Sequence, residues 1–326
     1  TAVGDQALET STGSDNTAVG AHSLKANTTG TLNTAVGSLA LDANTTGGRT
    51  TAVGYRSLSS QTTGSENVAV GSYALDYNTT GTQNTAVGES ALGANTTAGN
   101  NTAVGHDALK TNSTGTQNTA VGSLALDANT TGSENISVGY NALSANTTGD
   151  HNTAVGLGAL RDNVSSNNNT AVGREALKLN TGAKNTAVGA NALDSNTTAS
   201  QNVAIGYEAL AANTTGERNV AVGSQALDSN TTGVRNVAIG EQSLQSNSTG
   251  NYNTAVGRAS LDANTTADYN SAFGYHALVA NTTGTENVAV GALALDANTT
   301  GGNNTALGSQ ALGLNNGGGN TAVGRA

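Results

Sequence analysis

The 326-residue sequence contains no proline, cysteine, methionine or tryptophan, and Phe273 is its only phenylalanine. Without large aromatic and sulfur-containing side chains, the chain cannot build the usual core of interlocking bulky residues. Without cysteine it has neither disulfide bonds nor thiolate metal sites, so packing and hydrogen bonds must supply its stability. Hydrophobic residues nevertheless make up 36% of the chain, which is too many for a disordered protein. The composition therefore predicts a thin core that is repeated many times.

Charge is also scarce, because charged residues form only 10% of the chain and the net charge is -10. An acidic surface repels a phosphate backbone, so we expect no nucleic acid partner. The sequence has no run of about 18 apolar residues, so it predicts no membrane-spanning helix.

One short unit fills the chain, with Thr-Ala-Val-Gly or a close variant recurring every 17 residues. The consensus is Thr/Val-Ala-Val-Gly-x-x-Ala/Ser-Leu-x-x-Asn-Thr-Thr-Gly-x-x-Asn, and its positions are numbered 1 to 17 below. Two helices with a turn would need about twice this length, whereas one turn of a parallel β-solenoid fits. We predict an all-β parallel solenoid in which residues 1–326 form one continuous domain of nineteen complete repeats and a partial twentieth. Since the sequence starts and stops within the repeat, we expect it to be a fragment of a longer chain.

Each coil is predicted to contain two short strands joined by two turns. Val at position 3, as in Val3, Val19 and Val36, and Leu at position 8 should fill the interior. The small Ala at position 2 indicates a tight contact, for which a neighbouring chain offers an explanation. Gly at position 4 never varies, which indicates a positive φ or a close backbone approach. The predicted interior Leu and invariant Gly residues include Leu24, Leu41, Leu75, Leu126, Leu160, Leu210, Leu261, Gly37, Gly71 and Gly122.

Asn at position 17 recurs in every unit except one, where Thr50 replaces it. In a solenoid, equal positions stack at about 4.8 Å, so these amides can hydrogen-bond along the stack. Asp at position 9 supports stacking, because it occurs in seven units and never in two consecutive ones, and stacked like charges are disfavoured; Arg161 beside Lys178 is the exception. The predicted position-17 ladder includes Asn33, Asn67, Asn84, Asn118, Asn202 and Asn236.

The repeat resembles the β-roll head of trimeric autotransporter adhesins, whose coils carry a Val-Ala-Ile-Gly core. The matching stretches here begin at Val203 and Val237, and Val-Ala-Val-Gly begins at residues 68, 220 and 288. The Asn-Thr-Ala-Val-Gly form is also similar to repeats of phage tail fibres and bacterial surface proteins. The resemblance implies a left-handed roll, three chains packed about a common axis and a location outside a cell or on a virion. The family's coil is typically shorter, so handedness and trimer geometry stay open.

Chemical sites are sparse in the sequence. The four histidines lie at variable positions of widely separated units, and no metal-binding motif is present, so we assign no metal or cofactor. Because nearly every polar residue is copied in the next unit, no group is distinguished as a catalytic residue, and we expect no enzyme. Exposed tyrosines such as Tyr55 and Tyr73 could contact a glycan or protein, although scattered exposure explains them more simply.

Asn at position 11 is followed by Thr-Thr in most units, which formally creates N-glycosylation sequons. The simpler interpretation is that Asn, Thr and Gly are the residues that a stacked turn requires. The candidate acceptors include Asn27, Asn44, Asn78, Asn129, Asn146, Asn213, Asn230 and Asn281.

The leading functional hypothesis is a structural and adhesive extracellular fibre, either a surface appendage or a phage tail-fibre shaft. We expect its partners to be further copies of itself, as a homotrimer that could also polymerise end to end, and a host-surface receptor of unknown identity. The alternative is a ligand-binding solenoid that binds ice through stacked Thr residues such as Thr28-Thr29 and Thr45-Thr46. Against this alternative, each Thr pair is adjacent in sequence, whereas an ice-binding strand needs Thr alternating with an inward residue.

Overall fold

The computed structural model describes residues 1–325, and these form an all-β parallel solenoid of about 17 residues per coil without an α-helix. The chain divides into two compact units, Thr1–Asn167 and a second that begins at Asn168. The strands of the first unit are β1 Ala2–Val3, β2 Thr17–Val19, β3 Thr34–Val36, β4 Thr51–Val53, β5 Val68–Val70, β6 Thr85–Val87, β7 Thr102–Val104, β8 Thr119–Val121, β9 Ile136–Val138 and β10 Thr153–Val155. The strands of the second are β11 Thr170–Val172, β12 Thr186–Val188, β13 Val203–Ile205, β14 Val220–Val222, β15 Val237–Ile239, β16 Thr254–Val256, β17 Ser271–Phe273, β18 Val288–Val290, β19 Thr305–Leu307 and β20 Thr321–Val323.

Within each unit, every strand pairs in parallel with the strand of the next coil, and equal repeat positions face each other. In the first unit, for example, Ala35 pairs with Ala52 and Val36 with Val53. In the second unit, Ala204 pairs with Ala221. The side chain at each repeat position therefore stacks on its copy one coil away.

The prediction of two strands per coil is wrong, because each coil has one strand and the Ala/Ser-Leu segment forms turns. In the third coil, the amide of Ala40 donates to the carbonyl of Gly37 at 3.3 Å, and the amide of Asn44 donates to that of Leu41 at 3.2 Å. Leu39 and Leu41 have φ angles of 59° and 52°. These two left-handed residues turn the backbone too sharply for a strand to form.

The interior contains Leu at position 8, but not Val at position 3. The Leu side chains of the complete inner coils, including Leu41 and Leu126, are fully buried, which agrees with the prediction. The prediction that Val fills the interior is wrong, since Val19 and Val36 are exposed. Strand side chains alternate between faces, so an inward Ala at position 2 forces positions 1 and 3 outward.

Ala at position 2 is explained by this interior and not by a neighbouring chain, which corrects the interpretation from the sequence. Ala35 and Ala120 have no exposed surface within the single chain. A larger side chain at this position would crowd the coil interior, where Leu and Asn side chains already lie.

The invariant Gly at position 4 meets both conditions that the sequence predicted. Gly37 has a φ of 137°, and a Cβ on it would lie 2.4 Å from the carbonyl oxygen of Gly54 in the next coil. Gly122 has a φ of 131°, with Gly139 O at 2.6 Å from the same hypothetical atom. Any side chain here would strain the backbone and push the coils apart.

Candidate functional site

The position-17 asparagines form a buried ladder that joins side chains to the backbone of the next coil. The Oδ1 atom of Asn118 accepts a hydrogen bond from the amide of Asn135 at 3.0 Å. Its Nδ2 atom donates to the carbonyl of Gly132 at 2.8 Å. All six predicted ladder residues, Asn33, Asn67, Asn84, Asn118, Asn202 and Asn236, are buried. The amides therefore link each coil to its neighbour instead of bonding mainly to one another.

The position-11 asparagines form a second ladder, in which the side-chain amides do bond to one another. Asn129 Nδ2 donates to Asn112 Oδ1 at 2.8 Å and to the carbonyl of Gly132 at 2.9 Å. Asn146 then donates to Asn129 Oδ1 at 2.9 Å. Gly132 O thus accepts from both ladders, which fixes the turn at positions 11 to 14.

This second ladder contains the sequon asparagines, and its geometry favours their structural role. A glycan would attach to Nδ2, yet in Asn129 both hydrogens of that atom are used and the side chain is fully buried. Attachment would break two buried hydrogen bonds and force the coil open. The same complete burial holds for Asn27, Asn44, Asn78, Asn146, Asn213, Asn230 and Asn281.

The adjacent threonines, which the ice-binding alternative used, have two different environments. At position 12, the hydroxyl of Thr45 donates to the carbonyl of Thr62 in the next coil at 3.0 Å. At position 13, Thr46 is exposed. The Thr pair therefore presents one exposed column, while the other column helps to connect the coils.

The outward strand face is a surface that the sequence interpretation recognised only in part, because it placed position 3 in the interior. We define it, within each of the two compact units, as the side chains at positions 1 and 3 of the successive strands. Position 1 is Thr, Val, Ile or Ser, and position 3 is Val, Ile, Phe or Leu, so neither is ever charged. Val87 and Val121 are about one-third exposed, at 36% and 37%. The signal was present in the sequence, because twenty units without a charge at either position are unusual for a solvent-facing strand.

Position 9 carries aspartates whose pKa is shifted by burial. Burial raises the pKa of the Asp42, Asp127 and Asp262 carboxyls above their ordinary value. In each of these three residues one carboxylate oxygen, Oδ1, is buried and has no hydrogen-bond partner. These carboxylates therefore oppose folding when they are charged.

The histidines of the described chain are dispersed. His22 and His151 lie near single carboxylates, at 3.7 Å from Asp5 and 3.1 Å from Glu134. Among residues 1–325, no three His, Cys, Asp or Glu side chains come together as a metal site. Over the same residues, no helix is long and apolar enough to cross a membrane.

No family model matches the chain, and a comparison with curated proteins finds no match.

Proposed function

We propose that the chain is a segment of a structural and adhesive fibre that works outside a cell or on a virion. The observation that carries this proposal is the use of the polar side chains. Two Asn ladders and one Thr column are occupied in linking each coil to the next. Such an arrangement supports a scaffold that extends by adding coils.

The strand face supports self-association as part of this function. The uncharged side chains of Thr, Val and Ile on this face continue from coil to coil, whereas an ordinary monomer exposes apolar side chains singly. We propose that three chains pack through this face as a homotrimer. Position 3 is the natural centre of the contact, because its side chains are apolar in every coil and are half-buried or exposed in the single chain.

The native mass in solution tests this association. One chain has a mass of 31.9 kDa, so light scattering should give about three times this value at micromolar concentration. The double variant V87K/V121K places two charges on the strand face and should yield single chains with unchanged circular dichroism. The matched control T80K/T131K changes two exposed position-13 residues and should leave the assembly intact. A wild-type mass of one chain at all concentrations would overturn the proposal.

Ice binding remains a second candidate function, but the surface with the suitable geometry is the strand face and not the column of adjacent Thr pairs. On the strand face, Thr at position 1 and Val at position 3 alternate with the inward Ala, as in Thr119-Ala120-Val121. In-register pairing repeats this pattern at about 4.8 Å along each unit. Thermal hysteresis of the wild type that disappears in V87K/V121K would favour ice binding. The absence of hysteresis in both the assembled wild type and any single-chain form would exclude it.

A further inference from the structure

A surface cleft of about 300 Å³ interrupts the regular outline of the first unit. It spans four consecutive coils, from Arg56 to Lys110, and Tyr73 and Tyr77 contribute to its wall. Two of the chain's twelve basic residues line it, although the protein as a whole is acidic. These features distinguish this part of the repeat from the coils around it.

The cleft exists because unusual residues occupy the variable positions 9 and 10 in adjacent coils. Position 9 is Asp76, Gly93 and Lys110 in three consecutive coils, so Gly93 leaves a gap between an acid and a base. The gap spans two coil spacings, about 10 Å. Position 10, which is Ala in many coils, is Tyr77 here, and its side chain is 58% exposed. A missing side chain thus lies next to an added aromatic ring.

The polar groups of the cleft are held in place by contacts among themselves. Asp76 is buried, and its Oδ1 accepts hydrogen bonds from Arg56 Nε at 3.4 Å and from the Ser59 hydroxyl. The guanidinium of Arg56 also lies over the Tyr73 ring, 5.9 Å from its centroid. Arg56 is therefore positioned from two sides, which leaves its terminal amino groups for another acceptor.

Lys110 supplies the second cation. Its Nζ lies 3.2 Å from Asp107 Oδ2, and its side chain is about half exposed. An exposed pair of this kind contributes little to stability, so the ammonium group can be shared with a ligand at small cost. Arg56 and Lys110 thus place hydrogen-bond donors on a cleft whose wall contains two aromatic rings.

We propose that this cleft binds a saccharide that carries a carboxylate, such as a uronic acid unit. The C–H face of a pyranose ring suits the exposed face of Tyr77, because the aromatic face is electron-rich. One sugar carboxylate pairs with Lys110, and a second, on another unit of an acidic oligosaccharide, pairs with the free amino groups of Arg56, because a gap of about 10 Å is too wide for one carboxylate to reach both cations. The hydroxyls of Ser90 and Thr111 at the cleft wall can bond to the sugar hydroxyls. The size and mixed lining of the cleft are those of a small-ligand site.

This inference does not depend on the fibre proposal, since it concerns one cleft and holds for a single chain or an assembly. Calorimetric titration of the full chain tests it with two probes, trigalacturonic acid and the neutral galactotriose. We expect one trigalacturonate per chain, and binding of galactotriose that is weaker by at least about tenfold.

Three variants locate the site. Y77A restores the usual residue of position 10, so the fold should persist while trigalacturonate binding falls by about tenfold or more. K110Q should cause a similar loss without changing galactotriose binding. Y140A removes an exposed tyrosine far along the chain and should bind like the wild type. Thermal unfolding of each variant checks that it is folded.

Three outcomes would overturn the proposal. The first is the absence of saturable trigalacturonate binding up to about 10 mM, a concentration above the dissociation constants of most specific saccharide sites. The second is equal binding of both probes, and the third is binding that Y77A and K110Q leave unchanged.

Discussion

Gln61 Nε2 lies 3.4 Å from Thr50 Oγ1, so the one break in the position-17 ladder contacts a break in the position-11 ladder. Gln61 is fully buried and also accepts a hydrogen bond at Oε1 from Asn67 Nδ2 at 2.8 Å. The longer Gln reaches into space that the shorter Thr vacates. The two departures from the repeat therefore compensate each other.

This relationship predicts a strong coupling between the two positions. T50N should crowd the Gln61 side chain, and Q61N should leave a gap beside Thr50, so each should lower the free energy of unfolding by about 1 kcal/mol. The double variant restores both consensus ladders and should be as stable as the wild type. Chemical denaturation of the four proteins should give a coupling energy of about 0.5–3 kcal/mol. Simple additivity of the two single effects would show that the contact has no energetic role.

The different environments of positions 8 and 3 give a second prediction. L126A removes a fully buried side chain and should cost about 2–5 kcal/mol of unfolding free energy. V121A, five residues earlier on the strand face, should cost less than about 1 kcal/mol in a single-chain protein. Thermal and chemical unfolding of both variants provides the measurement. Equal losses for L126A and V121A in a chain kept single by V87K would mean that Val121 is buried within the coil.

The features that the sequence predicted well are those with one residue type at a fixed position. Gly at position 4, Leu at position 8 and Asn at position 17 each have a single environment, which the structure repeats in the inner coils. It was harder to predict which side chains of the strand face the interior, because β-branched Val36 is a typical core residue and Ala35 is a weak indicator of burial. In the structure Ala faces inward, and because side chains alternate along a strand, its neighbours at positions 1 and 3 face outward.

The turn at Leu41 could not be predicted from residue preferences. Leucine rarely adopts a positive φ, so an Ala-Leu segment indicates a strand or a helix. Here, burial of Leu41 and hydrogen bonds to the next coil outweigh the backbone strain.

The cleft at Gly93 could not be predicted for another reason, because Gly93 and Tyr77 are each an ordinary variation within their own repeat. Only the stacked register places Gly93 beside Tyr77.

The Asn ladders give a third prediction. N118L keeps the side chain's approximate volume but leaves the buried amide of Asn135 without its acceptor. One unpaired buried donor should cost about 1–3 kcal/mol of unfolding free energy. Hydrogen exchange should also show faster exchange at Asn135 than in the wild type, because the coil opens locally. T131A, at an exposed position, serves as the control and should leave both measurements unchanged. Unchanged exchange at Asn135 in N118L would contradict the ladder's role.

The raised pKa of Asp127 predicts that this residue reduces stability near neutral pH. The folded protein holds the Asp127 proton more tightly than the unfolded chain does, because burial disfavours the charged carboxylate. In the range between the ordinary value of 3.8 and the higher folded value, the folded state binds more protons, so its stability falls as pH rises.

D127N should therefore raise the melting temperature at pH 7, by an amount limited by the partial solvation of this half-buried group. The gain should shrink as the pH is lowered toward about 3, where Asp127 is protonated in both states. E217Q, which removes one exposed negative charge, controls for the change in net charge and should give a smaller effect. A stabilisation by D127N that is the same at pH 3 and pH 7 would show that the charge of Asp127 is not its cause.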